Sequence, residues 1–249
     1  MKIYLYTLLF LLSFGVFAQN QALFEQANTL YNDGKYAEAI DKYEAILATK
    51  NESAELYFNL GNANYKLNNI APSIYYYEKA LQLAPNDTEI QNNLEFAKNM
   101  TIDAIEVLPE GAVSRLVKRI TNTMSYDGWA KLAIAFVFCF VILFLVYYFA
   151  YSTVRKRLAF IGSFVALGLV CLSLSLAFHK YTLVKKDKPA IVFVQESKVK
   201  NEPNNRSEEA FRLHEGTKVQ ILDTVEDWKK IKLADGKSGW VLKQDIRAL

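Results

Sequence analysis

The chain reads as a multidomain membrane protein, with an α-helical repeat solenoid, a two-helix transmembrane hairpin and a small all-β barrel following one another. Three observations predict this order. Residues 23–51 recur as residues 57–85 with a period of 34, the size of one helical hairpin in a solenoid. Two apolar stretches, 130–151 and 158–178, are separated by only residues 152–157. Beyond residue 188 the pattern changes to short alternating runs with turn signals between them.

Composition narrows the class further. Of 249 residues, 52% are apolar, and much of that excess sits in a few blocks. A net charge of +3 gives a nucleic-acid binder no electrostatic footprint. Cys139 and Cys171 both fall inside apolar stretches, so no disulfide is expected to staple the soluble parts.

Residues 1–18 begin with Lys2, continue as an apolar run and end in Val16-Phe17-Ala18, which predicts a secretory signal peptide cut after Ala18. The run is shorter than the ~20 residues a spanning helix needs. The alternative is an uncleaved anchor, which leaves the following domain on the same side.

In the first repeat Leu23, Ala27, Asn32-Asp33-Gly34, Tyr36, Ala39 and Tyr43 hold the positions that matter for packing. In the second these are Tyr57, Leu60, Gly61, Ser73, Tyr77, Ala80 and Pro85. Small residues let paired helices approach, and the tyrosines fill the space between repeats. The pattern resembles the tetratricopeptide repeat family across residues 19–108, with repeats at 20–53 and 54–87. A partial third covers 88–106, where Ile90, Leu94, Ala97, Thr101 and Ile105 keep a helical seam that caps the stack. The resemblance implies a concave wall that binds peptide, and places Asn28, Tyr31, Asn59, Asn62, Tyr65, Lys66, Asn93 and Phe96 on it. Phe24 and Phe58 stand where a carboxylate clamp wants charge, so no clamp is expected. The competing account is that these asparagines are solvated surface residues of an asparagine-rich chain.

Residues 109–128 form an amphipathic juxtamembrane segment. Val113, Leu116, Val117, Ile120 and Met124 recur at helical spacing, with Arg115, Lys118 and Arg119 on the opposite faces. Two readings stay open: a helix lying in the lipid headgroup layer, or a final capping helix for the solenoid. The first span, 130–151, ends in the aromatic belt of Tyr147, Tyr148 and Tyr151. The second, 158–178, carries Gly162, Ala166, Ser173 and Ala177 on one face, which suits close packing against the first. Neither has an ionisable residue near its centre, so no ion path is visible.

The link at 152–157 is too short to hold a domain, so the segments before and after the hairpin lie on one side of the membrane. Its Arg155-Lys156-Arg157 does not decide which side, because Lys180, Lys185, Lys186 and Lys188 make the flank as basic. The signal peptide decides it, putting both soluble modules in the periplasm and the link in the cytoplasm.

The alternating runs 190–194, 217–222, 228–233 and 239–242 are read as strands, with 196–209 as a long first loop and Asp235-Gly236 as a tight turn. A glycine-started strand at Gly216-Thr-Lys-Val, a tryptophan strand at Trp228 and the Gly239-Trp-Val run resemble the bacterial SH3-like domain over residues 188–249. Phe211 and Trp228 are its candidate surface residues; the competing reading puts Phe211 and Trp240 in the core.

Only His179 and His214 are available as neutral-pH bases. No phosphate-cradling loop, zinc-ligand spacing or nucleophile elbow occurs, so no catalytic, cofactor or metal site is expected. The order of modules resembles the BatE branch of the Bat, or aerotolerance, group. That resemblance implies a non-enzymatic inner-membrane scaffold partnered by von Willebrand A-type Bat membrane proteins and a MoxR-type ATPase, with a role in aerotolerance or oxidative stress. A cell-wall-sensing adaptor, its barrel bound to peptidoglycan, is the alternative.

Overall fold

The computed structural model describes residues 19–249 except Val107 and Glu110, so the predicted signal peptide lies outside the described residues. The chain folds into two compact units. One is built from the solenoid and barrel segments on either side of residues 108–187, and the other from residues 108–187 themselves.

In the first unit, α1 occupies residues 19–32, followed by α2 (Tyr36–Ala48), α3 (Ala54–Lys66), α4 (Ile70–Leu83) and α5 (Thr88–Lys98). Caps fix two of the starts: the Ser53 hydroxyl accepts the Leu56 N–H, and the Asp87 carboxylate accepts those of Glu89 and Ile90. Gly34 and Asn68, one period apart, both take positive φ where the chain reverses between paired helices. Tyr43, Tyr57, Leu60, Ile74 and Tyr77 fill the core, all at most 4% exposed. At Gly61 an added Cβ would lie 2.6 Å from the Tyr77 ring, which is why a glycine stands there. The buried Ser73 hydroxyl donates to the Gly61 carbonyl at 3.0 Å, which satisfies a polar group where an alanine would have none.

The seam expected to run on through Thr101 and Ile105 does not. α5 stops at Lys98, residues 101–106 leave the helix, and Ile105 packs against the core of the barrel instead. The partial third repeat therefore has one helix of its own.

Where the sequence predicts a barrel, the C-terminal segment forms one seven-stranded sheet, called the barrel below: β1 (Pro189–Val192), β2 (Glu196–Lys200), β3 (Glu209–His214), β4 (Lys218–Val225), β5 (Trp228–Lys232), β6 (Ser238–Leu242) and β7 (Ile246–Ala248). All pairs are antiparallel, in the order β3-β2-β6-β5-β4-β1-β7. Val192, Val199, Ile231 and Val241 are fully buried at its centre. The expected loop at 196–209 begins as a strand. Val199 is the one apolar residue in β2, and the inward position two residues earlier is Ser197, whose hydroxyl donates to the buried Asp245 carboxylate at 2.6 Å.

The second unit holds α6 (Ala112–Thr121), α7 (Tyr126–Phe149) and α8 (Thr153–Lys186). α7 has 24 residues, about 36 Å at 1.5 Å per residue, and α8 has 34. Both are long and apolar enough to cross a membrane. The basic link is not a loop, because Arg155-Lys156-Arg157 form part of the first two turns of α8, leaving residues 150–152 as the connection. Hydropathy marks where an apolar stretch ends, whereas the helix runs on through the polar residues. The buried residues of α8 are Ala159, Ser163, Ala166, Val170, Ser173 and Ala177, spaced alternately four and three apart. That is the seam of a left-handed helix pair. Gly162 sits beside it, where an added Cβ would lie 3.2 Å from Leu143.

Candidate functional site: an asparagine-tyrosine ladder and a docked barrel

The predicted asparagines are tied into a ladder that repeats with the chain. Asn28 Oδ1 accepts from the Tyr43 hydroxyl at 2.5 Å and from Asn59 Nδ2 at 3.1 Å. One period on, Asn62 Oδ1 accepts from the Tyr77 hydroxyl at 2.6 Å and from Asn93 Nδ2 at 3.0 Å. Each rung thus joins the first helix of one repeat to its own second helix and to the first helix of the next. Phe24 packs on Tyr43 and Phe58 on Tyr77, with ring centroids 5.8 and 6.0 Å apart, so both phenylalanines support the ladder.

Burial, the largest influence, pushes the Tyr43 hydroxyl up to about 12 against the opposing bond to Asn59. Burial likewise drives Tyr77 upward, with nearby Tyr31 and Tyr65 adding to it. Both phenols therefore remain proton donors throughout the physiological range. The ladder occupies Asn28 Oδ1 and Asn62 Oδ1 internally, so these two atoms hold the wall in shape. Around it lie Tyr31, half-buried edge-on to Tyr36 at 5.2 Å, and the exposed Tyr65, Lys66 and Phe96. Amides and aromatic rings of this kind can meet the backbone and apolar side chains of an extended segment.

The second feature was not visible in the sequence: the barrel is docked on the solenoid. Fully buried Ile191 belongs to the solenoid's core cluster, and Phe193 and Leu249 pack against it. The tight turn at Gly216 has φ +85°, and an added Cβ there would meet Thr101 at 2.7 Å and Ile70 and Ile74 at 3.0 Å. Tyr75 and Phe193 meet edge-on at 5.6 Å, with the Arg247 guanidinium 5.1 and 5.4 Å from their rings. The barrel thus packs on α4 and on residues 101–105, which follow α5.

Two carboxylates fix this contact. Asp103 Oδ2 accepts the His214 N–H at 2.7 Å and the Thr217 hydroxyl at 2.6 Å, while Oδ1 lies 2.7 Å from His214 Nδ1. Buried Glu78 pairs with Lys218 at 2.6 Å and Lys98 at 3.1 Å. Burial is the largest influence on each and favours the neutral acid, yet both are held below the usual carboxylate range. For Asp103 the hydrogen bonds from Thr217 and His214 outweigh burial, and for Glu78 the ammoniums of Lys218 and Lys98 do so.

On the barrel, the two candidate surface residues separate. Phe211 is half-buried against the barrel core. Trp228, expected on the surface, is only 8% exposed. It begins β5 opposite Val225 and Leu242, where neighbouring strands enclose it. Trp240, expected in the core by the competing reading, is only partly buried. Cross-strand pairing sets it between Lys200 and Lys230, whose ammonium lies 5.9 Å from the indole centroid. Among the described residues no group of three or more His, Cys, Asp or Glu is placed to hold a metal ion.

Residues 24–88 match the tetratricopeptide repeat family and residues 197–247 match the bacterial SH3 domain family. The chain thus carries both modules, which are of the class that works through protein–protein interaction. Among solved structures it is similar to YrrB, described as a TPR protein with an unusual peptide-binding site. The identity is 18% and the TM-score 0.31, over 66% of this chain and 74% of that one. No curated protein matches the sequence.

Proposed function

We propose that the chain is a non-enzymatic membrane scaffold. Its solenoid holds an extended segment of a partner protein on the ladder-braced wall, and α7 and α8 anchor it as a transmembrane hairpin. The observation that carries this reading is the docking of the barrel onto the solenoid, which makes one compact unit of two interaction modules. The two apolar helices, with most of their side chains exposed, support the anchor. The short connection between them and the signal-like N-terminal residues support a periplasmic position for both modules and a place in the inner membrane. The order of modules supports a Bat-type envelope complex with von Willebrand A-type membrane proteins and a MoxR-type ATPase, linked to aerotolerance or oxidative stress.

A second reading has its own observation. Trp240 between Lys200 and Lys230 offers an aromatic surface with cations, which suits an anionic wall polymer and a wall-sensing adaptor. Isolation of the full-length protein from its own cells in mild detergent, with quantitative identification of what accompanies it, separates the two. Stoichiometric von Willebrand A-type partners support the scaffold. Cosedimentation with purified peptidoglycan that is lost in Trp240→Ala, without such partners, supports the adaptor.

A further inference from the structure

We propose that α6, with the adjoining ends of α7 and α8, is a binding site for anionic phospholipid, α6 lying along the headgroup layer. This rests on reading α7 and α8 as a membrane hairpin. At ~100° per residue, Val113, Leu116, Val117 and Ile120 share one arc of the helix, and Arg115, Lys118 and Arg119 share the opposite one. The four apolar side chains are 76, 59, 39 and 43% exposed. Between the two arcs lies Thr121, which is fully buried.

That buried flank fixes where the helix sits. The Trp129 indole donates to the Thr121 carbonyl at 3.2 Å, and the Lys180 ammonium donates to Asn122 Oδ1 at 2.6 Å. Tyr126 and Tyr181 meet edge-on at 5.8 Å, with Lys185 5.9 Å from the Tyr181 centroid. Tryptophan, tyrosines and lysines gathered at one end of an apolar helix pair are what a membrane–water boundary selects. α6 is held at this boundary with its apolar arc uncovered and its basic arc opposed to it. A bilayer supplies both complements at once, acyl chains below and phosphates above, and the arginine forks suit phosphate oxygens. Lys180, Lys185 and Lys186 add positive charge beside it.

The test uses the full-length protein in vesicles. Leu116→Cys in a Cys139→Ser, Cys171→Ser background carries a polarity-sensitive fluorophore, and Phe138→Cys serves as a mid-span control. Quenching by headgroup spin-labelled phosphatidylglycerol is compared with quenching by the phosphatidylcholine analogue, and phosphatidylcholine spin-labelled on the acyl chain reads position 138. The expected result is shallow quenching at position 116, reached at a phosphatidylglycerol fraction about fivefold lower, the preference vanishing in Arg115→Gln/Arg119→Gln. A probe at 116 that stays aqueous while 138 is quenched in the acyl region overturns the site and leaves the hairpin standing. An aqueous probe at 138 removes the hairpin and the site together. Shallow quenching without a lipid preference refutes the anionic ligand.

Discussion

Replacing Asp103 by alanine removes three polar contacts that hold the barrel on the solenoid: the bonds from the His214 N–H and the Thr217 hydroxyl, and the approach of His214 Nδ1. Bonds to an ionised acceptor are worth about 1.5–3 kcal/mol each, and loss of the acceptor leaves partly buried donors unsatisfied. Side-chain exposures of 15% for Asp103 and 27% for His214 let water replace part of this. A net loss of about 3 kcal/mol in docking follows, roughly a 150-fold rise in the undocked fraction. Native-state proteolysis within residues 99–106, under conditions where opening is fast relative to cleavage, reads that fraction directly. Asp103→Ala is expected to raise the cleavage rate by about two orders of magnitude, and Asp103→Asn by less. Unchanged cleavage of 99–106, or acceleration spread evenly through the barrel strands, refutes the assignment of Asp103 as the latch.

Gly216→Ala meets both an unfavourable φ and the Thr101 contact, so it is expected to loosen the docking as much as Asp103→Ala in the same assay. Gly61→Ala drives a methyl into the Tyr77 ring and is expected to cost about 1–3 kcal/mol in denaturant unfolding followed by far-UV circular dichroism. Trp228→Ala is expected to lose about 3–5 kcal/mol of barrel stability, whereas Trp240→Ala loses far less, as thermal melts will show. Despite burial, the bonds from Thr217 and His214 hold Asp103, and the ammoniums of Lys218 and Lys98 hold Glu78, below the ordinary carboxylate range. Their contribution is therefore complete above about pH 5 and is lost as pH falls through the depressed values. Protease sensitivity of residues 99–106 should accordingly stay flat from neutral pH to about 5 and rise steeply only in more acid buffer.

The repeats were legible because small and aromatic residues at fixed spacing are a local record of helix packing. The ladder was half legible. Asn28 and Asn62, Tyr43 and Tyr77, and Asn59 and Asn93 recur one period apart in the sequence, but only the superhelix shows that they bond to each other. Docking left no local record, since Asp103 and His214 are 111 residues apart and Glu78 and Lys218 are 140 apart. Strand alternation placed Trp228 and Trp240 on strands without saying which is enclosed. The register shift between Ile221 and Asp223 opposite β5 is the kind of irregularity alternation alone does not reveal. Strand β2 was hidden because its inward positions are Ser197 and Val199, and a buried serine bonded to Asp245 looks polar in a sequence.

On the proposed function, the ladder-braced wall of the docked solenoid and barrel holds a partner protein. In-cell photocrosslinking from Tyr31, Tyr65 and Lys66 on the wall, with exposed Glu44 and half-buried Lys79 as controls on the second helices of the repeats, distinguishes this face from the opposite one. One defined protein is expected from the three wall positions, with capture from Tyr31 abolished by Tyr65→Ala/Phe96→Ala. Capture from Glu44 or Lys79 with none from the wall would contradict it.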